Sequence, residues 1–343
     1  MVYKTSKIFT FTYKHQPMKT FYLCVLGACY LGFSQSPKTN EDFAASITPN
    51  ELKDLLYVYA SDYFEGRETG KPGQRRAVDF LTHFYSTHQI APAAGTEDYK
   101  QAFTVTLKGE EVATENVVAY IEGSTYPDEY IVISAHLDHV GIKDGEVYNG
   151  ADDDGSGTVA LLEIAEAFQE AVAAGNGPKR SIVFLHVSGE EKGLLGSKYY
   201  SENPLYPMSE TIADLNIDMV GRTDPKREDK DPNYIYLIGS DKISQELHDI
   251  SEATNSKYTQ LKIDYTYNDE KDPNRFYYRS DHYNFAKNGV PVIFYFNGTH
   301  EDYHGADDTP DKIQYELLAK RAHLVFLTAW ELANRKDRIK NNS

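Results

Sequence analysis

RSIVFLHVSGEEKG, residues 180–193, joins an unbroken apolar run to a pair of acids. Arg180 to Val187 is short, continuous and rich in Ile, Val, Phe and Leu, the pattern of a strand covered on both faces. Ser188 to Gly193 ends it with small residues, glycines, Glu190 and Glu191. Adjacent carboxylates at the exit of a core strand are costly unless they are used. In open α/β sheets, ligands bind beyond the carboxyl ends of the strands. The segment therefore places a strand deep in a helix-covered sheet and marks its end as a candidate site.

Further segments on either side fit the same scheme. Strands are expected at Asn116–Ile121, Glu129–Leu137, Ile212–Val220, Tyr234–Ile238 and Val290–Phe296. Helices are expected at Thr158–Val172, which stripes Val159, Leu162, Ala165 and Phe168, and at Leu194–Tyr200, Ile243–Ala253 and Tyr315–Asn334. Upstream, Thr48 caps a helix, Pro49 suits its first turn and Glu51 completes a capping box. That helix carries Leu52, Leu55, Leu56 and Tyr59, and a second runs through Ala77, Phe80, Leu81 and Phe84. Strands alternating with helices predict the α/β class: a single globular domain over residues 48–336, with a mixed, mostly parallel central sheet and helices on both faces. Residues 37–47 read as a polar linker and 337–343 as a polar tail.

The chain has 343 residues and a formal charge of -17. Lys4, Lys7, Lys14 and Lys19 are the charges of residues 1–36, so the remainder is more acidic still. Such a body repels nucleic acid and anionic membrane surfaces. The 27 Tyr suit a peptide-gripping groove and amphipathic surface packing equally. From Met18 the sequence MKTFYLCVLGACYLGFSQS reads as an export signal with Met18 as the start. Its apolar run, Phe21 to Phe33, is shorter than the ~20 residues of a membrane span. Cleavage near Gly32-Phe33-Ser34 is one reading; a lipobox at Leu26-Gly27-Ala28-Cys29, with lipid on Cys29, is a second; a buried first helix is a third. The first two predict an exported protein, periplasmic or extracellular, free or lipid-anchored. Cys24 and Cys29 are the two cysteines, so the mature chain has no disulfide in either case.

Five polar clusters interrupt the strand pattern. In Ser134–His139, strand alternation sets His136 and Asp138 on one side, so that Asp138 can orient the imidazole as carboxylates do for metal-bound His. In Asn149–Gly157, helix capping accounts for one of Asp152, Asp153 and Asp154, and a di-cation would neutralise the rest. Glu190 and Glu191 follow the strand already described. Asp218 is a lone acid in an apolar strand, needing a cation or an Arg. Tyr303 and His304 precede the last helix. Each cluster has an ordinary structural reading alone. Together, two imidazoles (His136, His304) and three carboxylates (Asp153, Glu191, Asp218) suit two zinc ions, with Glu190 spare; manganese and cobalt fit the same donors. His186 reads as a core residue, His139 as support for the His136 loop, and His300 stays open.

The ordered motifs SAHLDH, GADDDGSG, SGEEKGLLGS, NIDMVG, SDHYNFAKNGVP and YHGADDT resemble the zinc aminopeptidases of the bacterial secreted leucyl type. Relatives of that family include glutamate carboxypeptidase and glutaminyl cyclase. The resemblance spans about residues 50–335. It implies that Asp153 bridges two zincs, with His136 and Asp218 on one and Glu191 and His304 on the other. It implies Glu190 as general base, Tyr303 at the oxyanion and a cis Asp153–Asp154 bond. Asp138 joins the catalytic set, and Asp281, His282, Arg279 and Tyr278 are expected near the substrate. Peptides are the expected partners, attacked at a chain end, more readily the amino end. Carboxypeptidase and cyclase activity on the same fold, and a receptor-like module without catalysis, are the rivals. The family's Thr-Pro after the last His is replaced here by Gly305-Ala306.

Overall fold

The computed structural model describes residues 38–96 and 98–343. The expected start at Met18, the export signal and both cysteines lie outside these residues. Helices α1 Asn40–Ala44, α2 Pro49–Tyr59 and α3 Pro72–Thr87 come first. Strands β1 Ala91–Pro92, β2 Lys100–Leu107, β3 Glu110–Ile121, β4 Tyr126–His136, β5 Gly141–Lys143 and β6 Glu146–Tyr148 follow. The rest of the chain is α4 Gly157–Ala173, β7 Arg180–Val187, α5 Leu195–Glu202, β8 Thr211–Ile217, β9 Tyr234–Ile238, α6 Gln245–Thr254, β10 Lys262–Asp264, α7 His282–Ala286, β11 Val292–Phe296 and α8 Tyr315–Asn334.

The main sheet has the order β1-β3-β7-β4-β8-β11-β9-β10, with β2 paired to β3. Its centre, β7-β4-β8-β11, is parallel. The margins turn antiparallel at β3 against β7 and at β9 against β11. Residue alternation sorts the two faces. Ile131, Ile133, Ile182 and Phe184 meet the helices α1 to α4 and α8. Val132, Val183, Leu185 and Val187 meet Tyr200 of α5 and Phe285 of α7. All eight strand residues are buried, each worth ~1.5–3 kcal/mol against exposure. The central strands are thus a stiff base, and their carboxyl ends share one edge.

Four details differ from the sequence reading. Asn40–Ala44, inside the expected linker, is a helix with a Thr39/Asp42 capping box. Its Phe43 is buried and stacks on Trp330 with ring centroids 5.7 Å apart. Phe43 and Ala44 in a five-residue helix are too short a run to show a helical period, so the sequence reads as linker. In the expected tail, Ile339 is buried and the Lys340 carbonyl accepts from Ser244 Oγ at 2.7 Å. The β2–β3 hairpin was missed upstream of Asn116 because its strands are half-exposed and polar on one side. Finally, β8 ends at Ile217, which leaves Asp218 just beyond the strand. No described helix is long and apolar enough to cross a membrane.

Candidate metal centre

Four of the five clusters emerge from the parallel centre of the sheet. His136 is the last residue of β4. Glu190 and Glu191 form a 3-10 turn just after β7. Asp218 follows β8, and the loop after β11 brings in Tyr303 and His304. The fifth, the turn at Ala151–Ser156, leads into α4 and carries Asp153.

Asp153 is the centre of this arrangement. Its Oδ1 lies 3.2 Å from His136 Nε2, and its Oδ2 lies 3.1 Å from His304 Nε2. Asp218 Oδ1 is 3.7 Å from His136 Nε2 on one side. Glu191 Oε2 is 3.2 Å from His304 Nε2 on the other. The Asp153–Asp154 peptide bond is cis. The five donors nominated from the sequence therefore converge, with one carboxylate between two imidazoles.

The neighbouring acids have other tasks. Asp152 Oδ1 accepts from the Gly221 amide at 2.7 Å and from Ser156 Oγ at 2.9 Å. Asp154 accepts from the amides of Gly157, Met219 and His136 at 3.0, 3.1 and 3.1 Å. So only Asp153 of the triplet faces His136 and His304. Where the sequence reading had a di-cation neutralising all three acids, Asp152 is met by the Gly221 amide, Ser156 and His300 Nε2 at 3.2 Å, and Asp154 by amides. Asp138 also differs from expectation. His136 Nδ1 meets the backbone carbonyl of Asp138 at 3.1 Å, while the Asp138 carboxylate is 3.8 Å away. That carboxylate instead accepts from Thr69 Oγ1 at 2.7 Å and from the Glu190 amide at 3.1 Å. The strand has ended by Asp138, so strand alternation no longer aims it at the ring.

Several buried atoms here have no hydrogen-bond partner: His136 Nε2, Asp153 Oδ2, Glu191 Oε1 and both ring nitrogens of His139. An orphaned buried polar group costs about 1–3 kcal/mol. Finding these in one cluster, with carboxylates and imidazoles close but misaligned for bonding to each other, is the signature of a donor set shaped for cations. The field agrees. Burial would lower His304, but Asp153 and Glu191 outweigh it and raise it to about 10. Burial would raise Asp153, but His136 and His304 hold it well below the usual carboxylate range. A site that retains positive charge so strongly suits a divalent ion. His136, Asp153 and Asp218 form one group able to hold a metal, and His139, Asp153 and Glu191 another.

Asp153, Glu190 and Asp218 also line a small open recess, with Met219, Phe276, Phe294, Phe296, Thr299, Arg279 and Tyr303. Arg279 Nη2 donates to Tyr303 Oη at 3.3 Å. The other expected substrate residues lie elsewhere. Tyr278 is exposed at the surface. Asp281 is fully buried, accepts from Ser197 Oγ, and is pushed up to about 7 by burial. His282 stacks on Phe294 and is pushed down to about 3 by burial. Both brace the segment that presents Ser280, whose Oγ donates to Asp218 Oδ2 at 2.6 Å. This segment supports the site from behind, while Arg279 alone of the four reaches the recess.

Sequence reasoning missed Asp308. Its carboxylate accepts from the Asp152 and Asp153 amides at 3.0 and 3.1 Å, tying the His304 loop to the Asp153 turn. It stood inside the quoted YHGADDT, four residues after His304, without an assigned role. His139, read as loop support, has Nδ1 2.9 Å from Glu191 Oε1 and 3.7 Å from Asp153 Oδ2.

Comparison with known proteins shows what the chain resembles. A probable zinc metalloprotease of Pyricularia oryzae is 28% identical over 270 residues, covering 67% of this chain and 52% of that protein. The chain thus spans about half the length of that relative. A probable leucine aminopeptidase of Trichophyton verrucosum is 29% identical over 299 residues, covering 82% of this chain and 76% of that one. Among solved structures, the LapA aminopeptidase of Legionella pneumophila shares the fold with a TM-score of 0.66 at 22% identity, over 88% of this chain and 77% of that one. Residues 116–329, which hold the whole donor set, match the family described as Peptidase family M28, and the chain belongs to that family.

Proposed function

We propose that this chain is a two-zinc exopeptidase that hydrolyses the peptide bond next to a free α-amine. The observation that carries the reading is the position of Asp153, whose two carboxylate oxygens face imidazoles on opposite sides. His136 and Asp218 would hold one ion, Glu191 and His304 the other, and Asp153 both.

Bound zinc would lower the pKa of a water molecule and polarise the scissile carbonyl. The chain's own residues do the rest. Glu190 takes the water's proton as the water attacks and hands it to the leaving amine. Burial, opposed by His136 and reinforced by Asp281 and Asp218, pushes its carboxyl well above the usual range. The Asp138 carboxylate fixes its turn through the Glu190 amide. Burial also keeps the Tyr303 phenol protonated. Because Arg279 donates to its oxygen, the hydroxyl hydrogen is free to meet the developing oxyanion, a contact of the kind worth roughly 3 kcal/mol.

The recess favours the amino end of a peptide. It presents three carboxylates, from Asp153, Glu190 and Asp218, against one cation, Arg279, already engaged with Tyr303. Once two cations sit on Asp153 and Asp218, their charge is offset. What remains is that the lining of the recess offers no free side-chain cation to clamp an α-carboxylate, which leaves the amino end as the end it accepts. Its apolar walls, Met219, Phe276, Phe294 and Phe296, suit an apolar first residue.

The test is an activity panel of aminoacyl anilides, amino-blocked dipeptides and a peptide beginning with Gln, with chelation and zinc add-back. Expected are zinc-dependent cleavage of the anilides alone, and a loss of roughly 10²–10⁴-fold in kcat for Glu190→Gln with metal content unchanged. Cleavage of blocked dipeptides alone would overturn the amino-end reading. Full activity of Glu190→Gln would remove it as the base.

A further inference from the structure

The described residues contain several buried imidazoles with a ring nitrogen lacking a hydrogen bond: those of His136, His139, His186, His282 and His300. They fall into different environments. His186 donates to or accepts from Tyr85 Oη through Nε2, and burial pushes it down to about 3. His282 is stacked among aromatic rings and is equally depressed. His300 pairs with Asp152 through Nε2 at 3.2 Å. His186 and His282 are thus neutral core residues, and His300 belongs to an ion pair with Asp152.

His136 and His139 are different. Each has a bare ring nitrogen within 4 Å of two carboxylates: His136 Nε2 beside Asp153 and Asp218, His139 Nδ1 beside Glu191 and Asp153. In both, the separation is short enough for a hydrogen bond, 3.2 Å for His136 and 2.9 Å for His139, yet neither nitrogen is hydrogen-bonded. Donor and acceptor are near each other without being aimed at each other. That is how two ligands of one ion stand, with their lone pairs directed at a shared third point.

The His139 ring is also held in place by costly means. His139 is fully buried. Gly150, at φ +55°, packs so tightly on it that a Cβ there would lie 2.5 Å from ring atoms Cγ and Cδ2. The buried Arg67 guanidinium donates to the carbonyls of Leu137, Asn149 and Gly150 at 3.1, 2.7 and 2.9 Å, and the Arg67 carbonyl accepts from the His139 amide. One arginine thus clamps the segment before His139 to the segment carrying Gly150. A side chain that only filled space would not need a nitrogen left bare at the end of such a clamp.

We infer that His139 is a further metal ligand, presenting Nδ1 to the ion held by Asp153, Glu191 and His304. This rests on the two-metal reading above. It makes the two positions unequal, with two imidazoles on the His304 side and one on the His136 side. His139 then compensates for the exposure of His304, whose side chain is 37% exposed.

Two measurements test it together. The first is diffraction from zinc-loaded crystals of the wild-type protein, with zinc placed by anomalous scattering. His139 Nδ1 is expected within about 2.0–2.3 Å of one ion. The second is zinc content during titration with a chelator. His139→Asn is expected to release one equivalent at chelator at least ~10-fold lower than wild type, the low end of what losing even an outer-shell partner costs, while the other equivalent is unchanged. Wild-type protein that holds no zinc would overturn the two-metal reading, and this inference with it. Two bound ions with His139 Nδ1 more than about 3 Å from both, or a folded His139→Asn that holds zinc as wild type does, would overturn this inference alone. If His139→Asn fails to fold, the wild-type diffraction decides.

Discussion

The two halves of the proposed two-metal centre are built differently. His136 and Asp218 sit at the ends of adjacent parallel strands, with side chains 1% and 11% exposed. Their backbones are locked by the sheet: the Asp218 amide donates to the Tyr295 carbonyl, and the His136 amide to Asp154. His304 lies in a loop, at φ +55°, with its side chain 37% exposed and its ring stacked on Tyr303 at 4.0 Å. Its partner Glu191 rides on a single 3-10 turn. The strand-borne half inherits its geometry from the core. The loop-borne half needs a separate tie, which Asp308 supplies to the His304 loop. Precision at a site therefore comes from two sources, and they should respond differently to mutation.

The hardest test of this contrast is Asp153→Ala, because Asp153 is the one donor common to both halves. Loss of both zinc equivalents and a fall of at least ~10³-fold in kcat/KM are expected, several kcal/mol of charge stabilisation being removed. Metal analysis of the purified variant checks it. One equivalent retained at wild-type affinity would mean that a half stands without the shared carboxylate. A smaller effect separates the halves. Asp308→Ala leaves every donor in place but cuts the tie from the His304 loop to the Asp152 and Asp153 amides. Zinc on the loop-borne side should weaken by roughly 10–100-fold, the usual consequence of losing an outer-sphere partner. The strand-borne equivalent should move much less. Two-phase release in a chelator titration would show this, and a single phase shifted as one would erase the distinction.

The same contrast explains what could be read from the sequence. The central strands were legible because burial on both faces gives continuous apolar runs such as Arg180–Val187. The donors at their ends were legible because acids and histidines are conspicuous where such runs stop. Asp308 was not, since a carboxylate bound to backbone amides looks like any loop acid until the amides are placed beside it. Asp138 misled for the related reason that strand alternation was carried two residues past the strand's end. Asp281 and His282 were expected near the substrate because the resemblance to the aminopeptidase family puts their segment there, not because of any local pattern. The structure buries them against Ser197 and Phe294, contacts made across long sequence separations that no local pattern encodes.

A buried acid without an imidazole sharpens the comparison from outside the site. In the centre, His139 and His304 hold Glu191 below its ordinary range against burial and Asp153. Glu163 of α4 is 4% exposed and has no such opposition. Burial, with Glu166, Glu51 and Glu170 nearby, raises it from 4.5 to about 8. Because its folded value is the higher one, the folded state keeps a proton that the unfolded chain releases between those two values. Stability should therefore fall as pH rises through this window, the penalty being complete above it. Each pKa unit is worth about 1.4 kcal/mol, and 1 kcal/mol moves Tm by about 2–4 °C in domains of 150–250 residues. Glu163→Gln removes the titration while keeping the shape. It should raise Tm by several degrees at about pH 9 and leave it nearly unchanged at about pH 4, with zinc content the same as wild type throughout. A gain of equal size at both pH values would mean that packing, not charge, governs the position. No gain at high pH would mean that Glu163 is less isolated from cations than its surroundings indicate.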